Sequence, residues 1–304
     1  FWLKGRRPPS PAGPVGMEEM SGLGPDDAPR VVRPSAPAPP DFVPRPLTPE
    51  EREAAWRAAN VYNASSGHTE PLALWILGPS AVGKSTLTAR LGVEFDIPLD
   101  VEGQLDAAIV DGEFMRDAHD VWQRWVKTPD WRSAYPALKS LINKEKDAMC
   151  TEAASLRKHL VIPQTLLNLE KGLTEVEELA WQGYTNHVLA VVAPLEDCQR
   201  RGRCRETATG KRYEPREFEL SILAIPPMIA NCNGRYQVVQ ALEPEGCTDH
   251  MDFRVLARGH GGACPGTEFD AEDLRAVIDA AIGRDGGAAG PSTPPAAAAA
   301  VAAA

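Results

Sequence analysis

The sequence predicts an α/β fold: a three-layer sandwich with helices on both faces of a mainly parallel, five-stranded sheet. Three observations predict it. Short apolar runs alternate with stretches of helical period, the pattern of strand–helix–strand crossovers. The first run, Leu72-Ala73-Leu74-Trp75-Ile76-Leu77, is continuous, as a strand buried on both faces requires. A glycine-rich turn, Gly78-Pro79-Ser80-Ala81-Val82-Gly83-Lys84-Ser85, joins that run to a helical segment.

Each element has a local reason. Thr48-Pro49-Glu50-Glu51 opens a helix, with Thr as N-cap, Pro in the first turn and Glu three residues on. This helix is expected to reach Asn63. The strand at 72–77 follows, then a helix from Lys84 to Leu91. Ala107-Ala108-Ile109-Val110 is the second strand and closes on Asp111-Gly112. From Tyr135 to Lys158 the spacing of Leu138, Leu141, Ile142 and Met149 predicts a long helix. Leu160-Val161-Ile162 is the third strand, 173–181 a helix closed near Gly183, and 187–192 the fourth strand. Glu214 to Ala230 reads as one helix, and 236–239 as the fifth strand. Beyond Arg254 a glycine-rich loop leads to a last helix, from Asp270 to Ile282.

Composition sets the limits around this unit. The chain has 304 residues, 43% of them hydrophobic, so it can bury a large core. Residues 1–47 are Pro-rich and 284–304 rich in Ala and Pro; both are expected to be disordered, flanking one folded domain at 48–283. No apolar run approaches the roughly 20 residues of a membrane span. A net charge of −10 argues against nucleic acid as the main partner. Six cysteines are scattered without a CxxC pair, so free and mostly buried thiols are expected. The chain begins at Phe1 rather than Met, which leaves upstream residues or a start at Met17 open. The Arg/Pro-rich start lacks the apolar stretch of a secretory signal, and the expected location is the cytoplasm.

GPSAVGKS satisfies GxxxxGK[ST] without a mismatch, between a buried strand and a helix start. Its glycines let consecutive backbone N–H groups turn inward around phosphate oxygens, and the helix N-terminus adds positive potential. The expected nucleotide-binding residues are therefore Gly78, Pro79, Ser80, Ala81, Val82, Gly83, Lys84, Ser85 and Thr86. Lys84 reaches the β- and γ-phosphates of a triphosphate such as ATP, and the Ser85 hydroxyl ligates Mg²⁺. The fold class is then that of a P-loop NTPase.

Asp111-Gly112-Glu113 follows the second strand, with Arg116 and His119 after it. At the C-terminal edge of a parallel sheet two carboxylates can divide the work, one at Mg²⁺ and one accepting a proton from a substrate hydroxyl. Capping of the following helix is the plainer alternative. The third strand ends in Pro163-Gln164-Thr165 and offers no carboxylate, which shifts the metal and base roles to Asp111 and Glu113. Arg200, Arg201, Arg203, Arg205, Lys211, Arg212 and Arg216 form a cationic patch between strands four and five. Such a patch suits a lid that neutralises a transferring phosphoryl group; a solvated, salt-bridged helix face is the alternative. Binding of single-stranded nucleic acid would call for aromatics among these arginines, and Tyr213 stands alone. Trp122, Trp125 and Trp131 read as packing for an inserted helix more than as a wall for a ring-bearing substrate.

These residues together resemble the zeta toxin family of P-loop kinases over about Leu72 to Val239. The resemblance rests on GPSAVGKS, on Asp111-Gly112-Glu113 with Arg116 and His119, on Leu160 through Thr165, and on Lys211-Arg212-Tyr213-Glu214-Pro215. It implies a kinase-type fold and a general base at Glu113, where the family carries Asp. It also implies arginines on the γ-phosphate at Arg212 and at Arg203 or Arg205. Bacterial members phosphorylate the 3′-hydroxyl of UDP-N-acetylglucosamine. Two positions depart from the family: the base is one methylene longer, and Pro163 stands where the family places a substrate-binding Glu. The expectation is thus an ATP- and Mg²⁺-dependent transfer of the γ-phosphate to a hydroxyl of a small molecule, with a nucleotide sugar among the acceptors considered. Asp111 and Ser85 serve the metal; Glu113, Asp111, Arg212, Arg205 and Arg203 serve catalysis. A polynucleotide-end kinase and a nucleotide-dependent switch without an acceptor are the rival readings. No residue pattern identifies a protein partner.

Overall fold

The computed structural model describes residues 43–242 and 251–284. The expected disordered segments, 1–47 and 284–304, lie almost wholly outside these residues, as does Cys247. α1 (Pro49–Ala58) opens as expected: Thr48 and Glu51 form a reciprocal capping box. It stops before Asn63 because Asn60 turns left-handed, at φ 60°. The Asn60 amide donates to the carbonyls of Leu105 and Ala107, both at 3.3 Å, and so fixes the approach to the second strand.

β1 (Leu72–Leu77) leads into α2 (Lys84–Leu91), and β2 (Ala108–Ile109) into two short helices, α3 (Gly112–Ala118) and α4 (Asp120–Trp125). The long α5 (Ala134–Ser155) precedes β3 (Leu160–Gln164), and α6 (Leu169–Trp181) precedes β4 (Thr185–Val192). α7 (Leu195–Thr209), α8 (Glu217–Leu223) and α9 (Ile225–Asn231) then lead to β5 (Arg235–Leu242), β6 (Asp252–His260) and α10 (Ala271–Ala281). The expected single helix over 214–230 is two. Pro226 and Pro227 sit in the first turn of α9, where missing N–H groups are tolerated, but they could not continue α8.

The sheet holds six strands among the described residues, not five, in the order β2-β3-β1-β4-β5-β6. The first five are parallel; β6 adds antiparallel beside β5. It escapes sequence reading because it lies at an edge, where Arg254, Arg258 and His260 interrupt the apolar pattern. The connection from β1 to β2 runs one way along the sheet, and those from β2 to β3, β3 to β4 and β4 to β5 run the other way. Right-handed crossovers therefore place α2 on one face and α5, α6 and α9 on the other. The strand order reverses at β1, so the ligand crevice opens at its C-terminal end.

α1 is fastened to α5 by one buried carboxylate. Glu145 accepts from Trp56 Nε1 at 2.9 Å and pairs with Arg52 at 2.6 Å. Trp122, Trp125 and Trp131 are all buried, as packing residues should be. Among the described residues no helix is long and apolar enough to cross a membrane.

Candidate active site

The turn after β1 is shaped for backbone amides to converge. Gly78 has φ 140° and Gly83 φ 105°, both in the region that side-chain-bearing residues avoid. A Cβ on Gly78 would fall 2.1 Å from the carbonyl oxygen of Val191, so the loop also needs glycine for its close approach to β4. Gly83 is the N-cap of α2, which aims the amides of Lys84, Ser85 and Thr86 into the crevice. Lys84 Nζ donates to the carbonyls of Gly78 at 2.6 Å and Pro79 at 2.8 Å. Burial and the nearby Arg205 push the Lys84 ammonium down to about 7, an environment that an anion would relieve.

The crevice is a cleft of about 520 Å³ that gathers all three motif regions. Asp111 is the N-cap of α3, its carboxylate accepting from the Glu113 amide at 3.0 Å. The capping alternative is thus realised, and the same carboxylate faces the cleft. Burial pushes the Asp111 carboxyl up, but Lys211, Lys146 and Arg116 more than offset this and hold it ionised below its usual range. Glu113 is exposed at the first turn of α3, facing the same space.

The cations come from two further elements. α7 presents Arg201 and Arg205 to the cleft, one turn apart. Arg205 donates to Ser80 Oγ at 2.6 Å, which ties α7 to the phosphate loop. Its Nε is buried without a hydrogen-bond partner among the described residues. After α7 the chain turns back at Gly210, and the ring of Tyr213 packs against Gly202, close enough that a Cβ there would stand 2.2 Å away. This contact sets Lys211 inside the cleft, where burial, Arg116 and Arg205 push its ammonium down to about 7.

A family model described as an AAA domain matches residues 74–221. No curated protein matches the chain in sequence at a significant level. Among solved structures, a chain of the PezAT chromosomal toxin-antitoxin system of Streptococcus pneumoniae is similar with a TM-score of 0.52 at 17% identity, covering 76% of this chain and 88% of that one. The fold is zeta-toxin-like. The AvrRxo1-ORF1:AvrRxo1-ORF2 structure with sulphate ions has a TM-score of 0.49 at 14% identity, over 75% of this chain and 70% of that one. The same pair with ATP gives 0.45 at 13%, over 75% and 69%.

Within this zeta-toxin-like fold, the expected site residues separate into two groups. Ser80 through Thr86, Asp111, Glu113, Arg205 and Arg212 all line the cleft, while Gly78 and Pro79 turn the loop beneath it. Arg203 does not join them; it is exposed on the other side of α7. Arg212 reaches the rim, 54% exposed and 3.3 Å from Glu214. His119 is fully buried away from the cleft, its Nε2 3.1 Å from the Arg45 carbonyl. Sequence reasoning missed Lys146 on α5 and named Arg201 and Lys211 only as members of the cationic patch; folding brings all three into the cleft. Pro163 and Gln164 line the cleft where β3 ends, and Asn143 and Asn168 line it as well.

The donor set also fits a phosphate-borne cation. Among the described residues no cluster of three or more His, Cys, Asp or Glu side chains could hold a metal by itself. Asp111 and Ser85 bring a carboxylate and a hydroxyl to the same cleft as the loop. That is the sparse set Mg²⁺ uses when phosphates complete its shell.

Proposed function

We propose that the chain is an ATP-dependent phosphotransferase that moves the γ-phosphate to a hydroxyl of a small molecule, with a nucleotide sugar as the first acceptor to try. One observation carries this reading: a single cleft holds the phosphate loop, a carboxylate pair and cations from a separate helix. A switch that only binds nucleotide needs the loop and its metal-side acid. A transferase needs all three, because it must place an acceptor, take its proton and neutralise the group in flight.

Lys84 and the amides of the loop hold the triphosphate. Ser85 and Asp111 would hold Mg²⁺, whose charge offsets that of the phosphates when bound. Glu113 takes the acceptor proton: it is exposed toward the cleft and two residues from the metal-side carboxylate. Arg205, Lys211 and the rim residue Arg212 draw charge off the transferring phosphoryl group. The role first divided between Arg203 and Arg205 falls to Arg205.

The test uses the purified chain with Mg²⁺ and γ-labelled ATP against UDP-sugars, free sugars, nucleosides and a short RNA, with Lys84→Ala as the blank. Glu113→Gln is expected to lower transfer by about 10²- to 10⁴-fold and to leave ATP affinity within about twofold. Label on a free sugar or nucleoside would keep the kinase and replace the acceptor. Label on RNA would favour end-phosphorylation. ATP bound with no acceptor labelled would sink the transferase reading.

A further inference from the structure

The cleft has two ends. Asp111 and Glu113 lie toward one, with Lys146 of α5 near Asp111. At the other end Met251, the residue before β6, closes the wall beside Arg201. Strand order explains the separation, since β1 has β3 and β2 on the acid side and β4, β5 and β6 on the other. Met251 reaches the crevice because β6 is antiparallel: its first residue, not its last, meets the C-terminal edge of the parallel strands.

The Met251 side chain is held against the phosphate loop. A Cβ added to Gly83 would fall 2.1 Å from the Met251 sulfur and 2.7 Å from its methyl group. The thioether therefore lies in van der Waals contact with the last glycine of the loop. Arg201 Nη1 stands 4.0 Å from the same sulfur. Behind it, Arg90 of α2 donates to the Met251 carbonyl at 2.8 Å and sits 5.1 Å from the centre of the Phe253 ring. The helix that opens the phosphate site thus also fixes where β6 starts.

A polyphosphate on this loop has a direction. Lys84 serves the β- and γ-phosphates, and the remaining amides cradle the α- and β-phosphates. Transfer requires the γ end to face the carboxylates. The nucleoside must then emerge on the far side, where Met251 stands. We propose that Met251 is the platform on which the donor's nucleobase packs. A thioether is apolar and polarisable and suits the face of an aromatic ring. It has no N–H or O–H to offer the ring's edge, so it holds a base by its face. The inference rests on the nucleotide donor of the proposed function, not on the acceptor.

Isothermal titration of the full chain, Met251→Ala and Met251→Leu with MgATP and with magnesium tripolyphosphate tests it. The alanine variant is expected to bind ATP about tenfold more weakly and the leucine variant within about threefold of wild type. All three should bind tripolyphosphate alike, with unchanged melting temperatures. Parallel weakening of ATP and tripolyphosphate in the alanine variant would mean that Met251 merely props Gly83, and would overturn the proposal. So would unchanged ATP affinity, or a wild-type chain that binds ATP no more tightly than tripolyphosphate. The transferase reading fails separately, when ATP binds and no acceptor is labelled.

Discussion

Arg203 and Arg205 are two residues apart on α7, and helical geometry sends them to opposite sides. Arg205 reaches Ser80 and the cleft, whereas Arg203 points to solvent. Arg205→Ala is therefore expected to lower transfer by about 10²-fold or more, in the range seen for removal of one charge-stabilising donor. Arg203→Ala should stay within about twofold, since an exposed side chain away from the site contributes little. Steady-state kinetics on the two variants compares them directly, and equal losses would refute the division. The same turn of chain separates Lys211 from Arg212. Tyr213, buried against Gly202, is the anchor that puts the lysine inside and leaves the arginine at the rim.

Among the elements, α1 depends on α5 through a single side chain. Glu145 is 6% exposed and holds both Trp56 and Arg52. Glu145→Ala would leave the Trp56 N–H buried without an acceptor, while the half-exposed Arg52 returns to water. The expected loss is about 2 kcal/mol, read from chemical denaturation. How legible such elements are in sequence depends on how much apolar surface they bury. The interior strands and α5 announce themselves because their apolar positions keep one period. α7 does not: its buried residues are only Cys198 and Gly202, so no apolar stripe marks its phase. Without that phase, Arg203 and Arg205 could not be told apart. β6 fails for the edge-strand reason, and with it Met251 stayed out of view. The phosphate loop was fully legible because eight consecutive residues make it. The Asp111–Lys146–Lys211 cluster was not, because three distant segments meet there.

At the scale of the whole molecule, two imidazoles set a limit on acid stability. His159 Nδ1 accepts from the Leu72 amide at 2.9 Å, and His187 Nδ1 from the Arg235 amide at 2.8 Å. Burial, with His68 stacked on one and Arg235 near the other, pushes both down to about 4. The unfolded chain takes up protons near 6.5 that the folded chain refuses. Stability from this source is complete above that pH and falls as the pH drops from 6.5 toward 4. Glu51 adds a second stage. Hydrogen bonding to Arg45 holds its carboxyl down at about 2, against burial, so its contribution is lost between about 4.5 and 2. Melting temperature from pH 8 to 3 should begin to fall below 6.5, and a flat profile between 7 and 5 would contradict the assignment.

The order of strands in the sheet also dictates an order in time. β1 is the first strand of the sheet in the sequence but occupies its interior, and its two neighbours begin only at Leu160 and Thr185. The later strands β4, β5 and β6 sit side by side in both sequence and space. A chain emerging from the ribosome must therefore hold β1 unpaired until β3 has been made, about 80 residues later. Closing such long loops is entropically costly and makes assembly slow. The segment that binds the phosphates, though first made, is locked into the sheet only after the strands on either side of it have been synthesised.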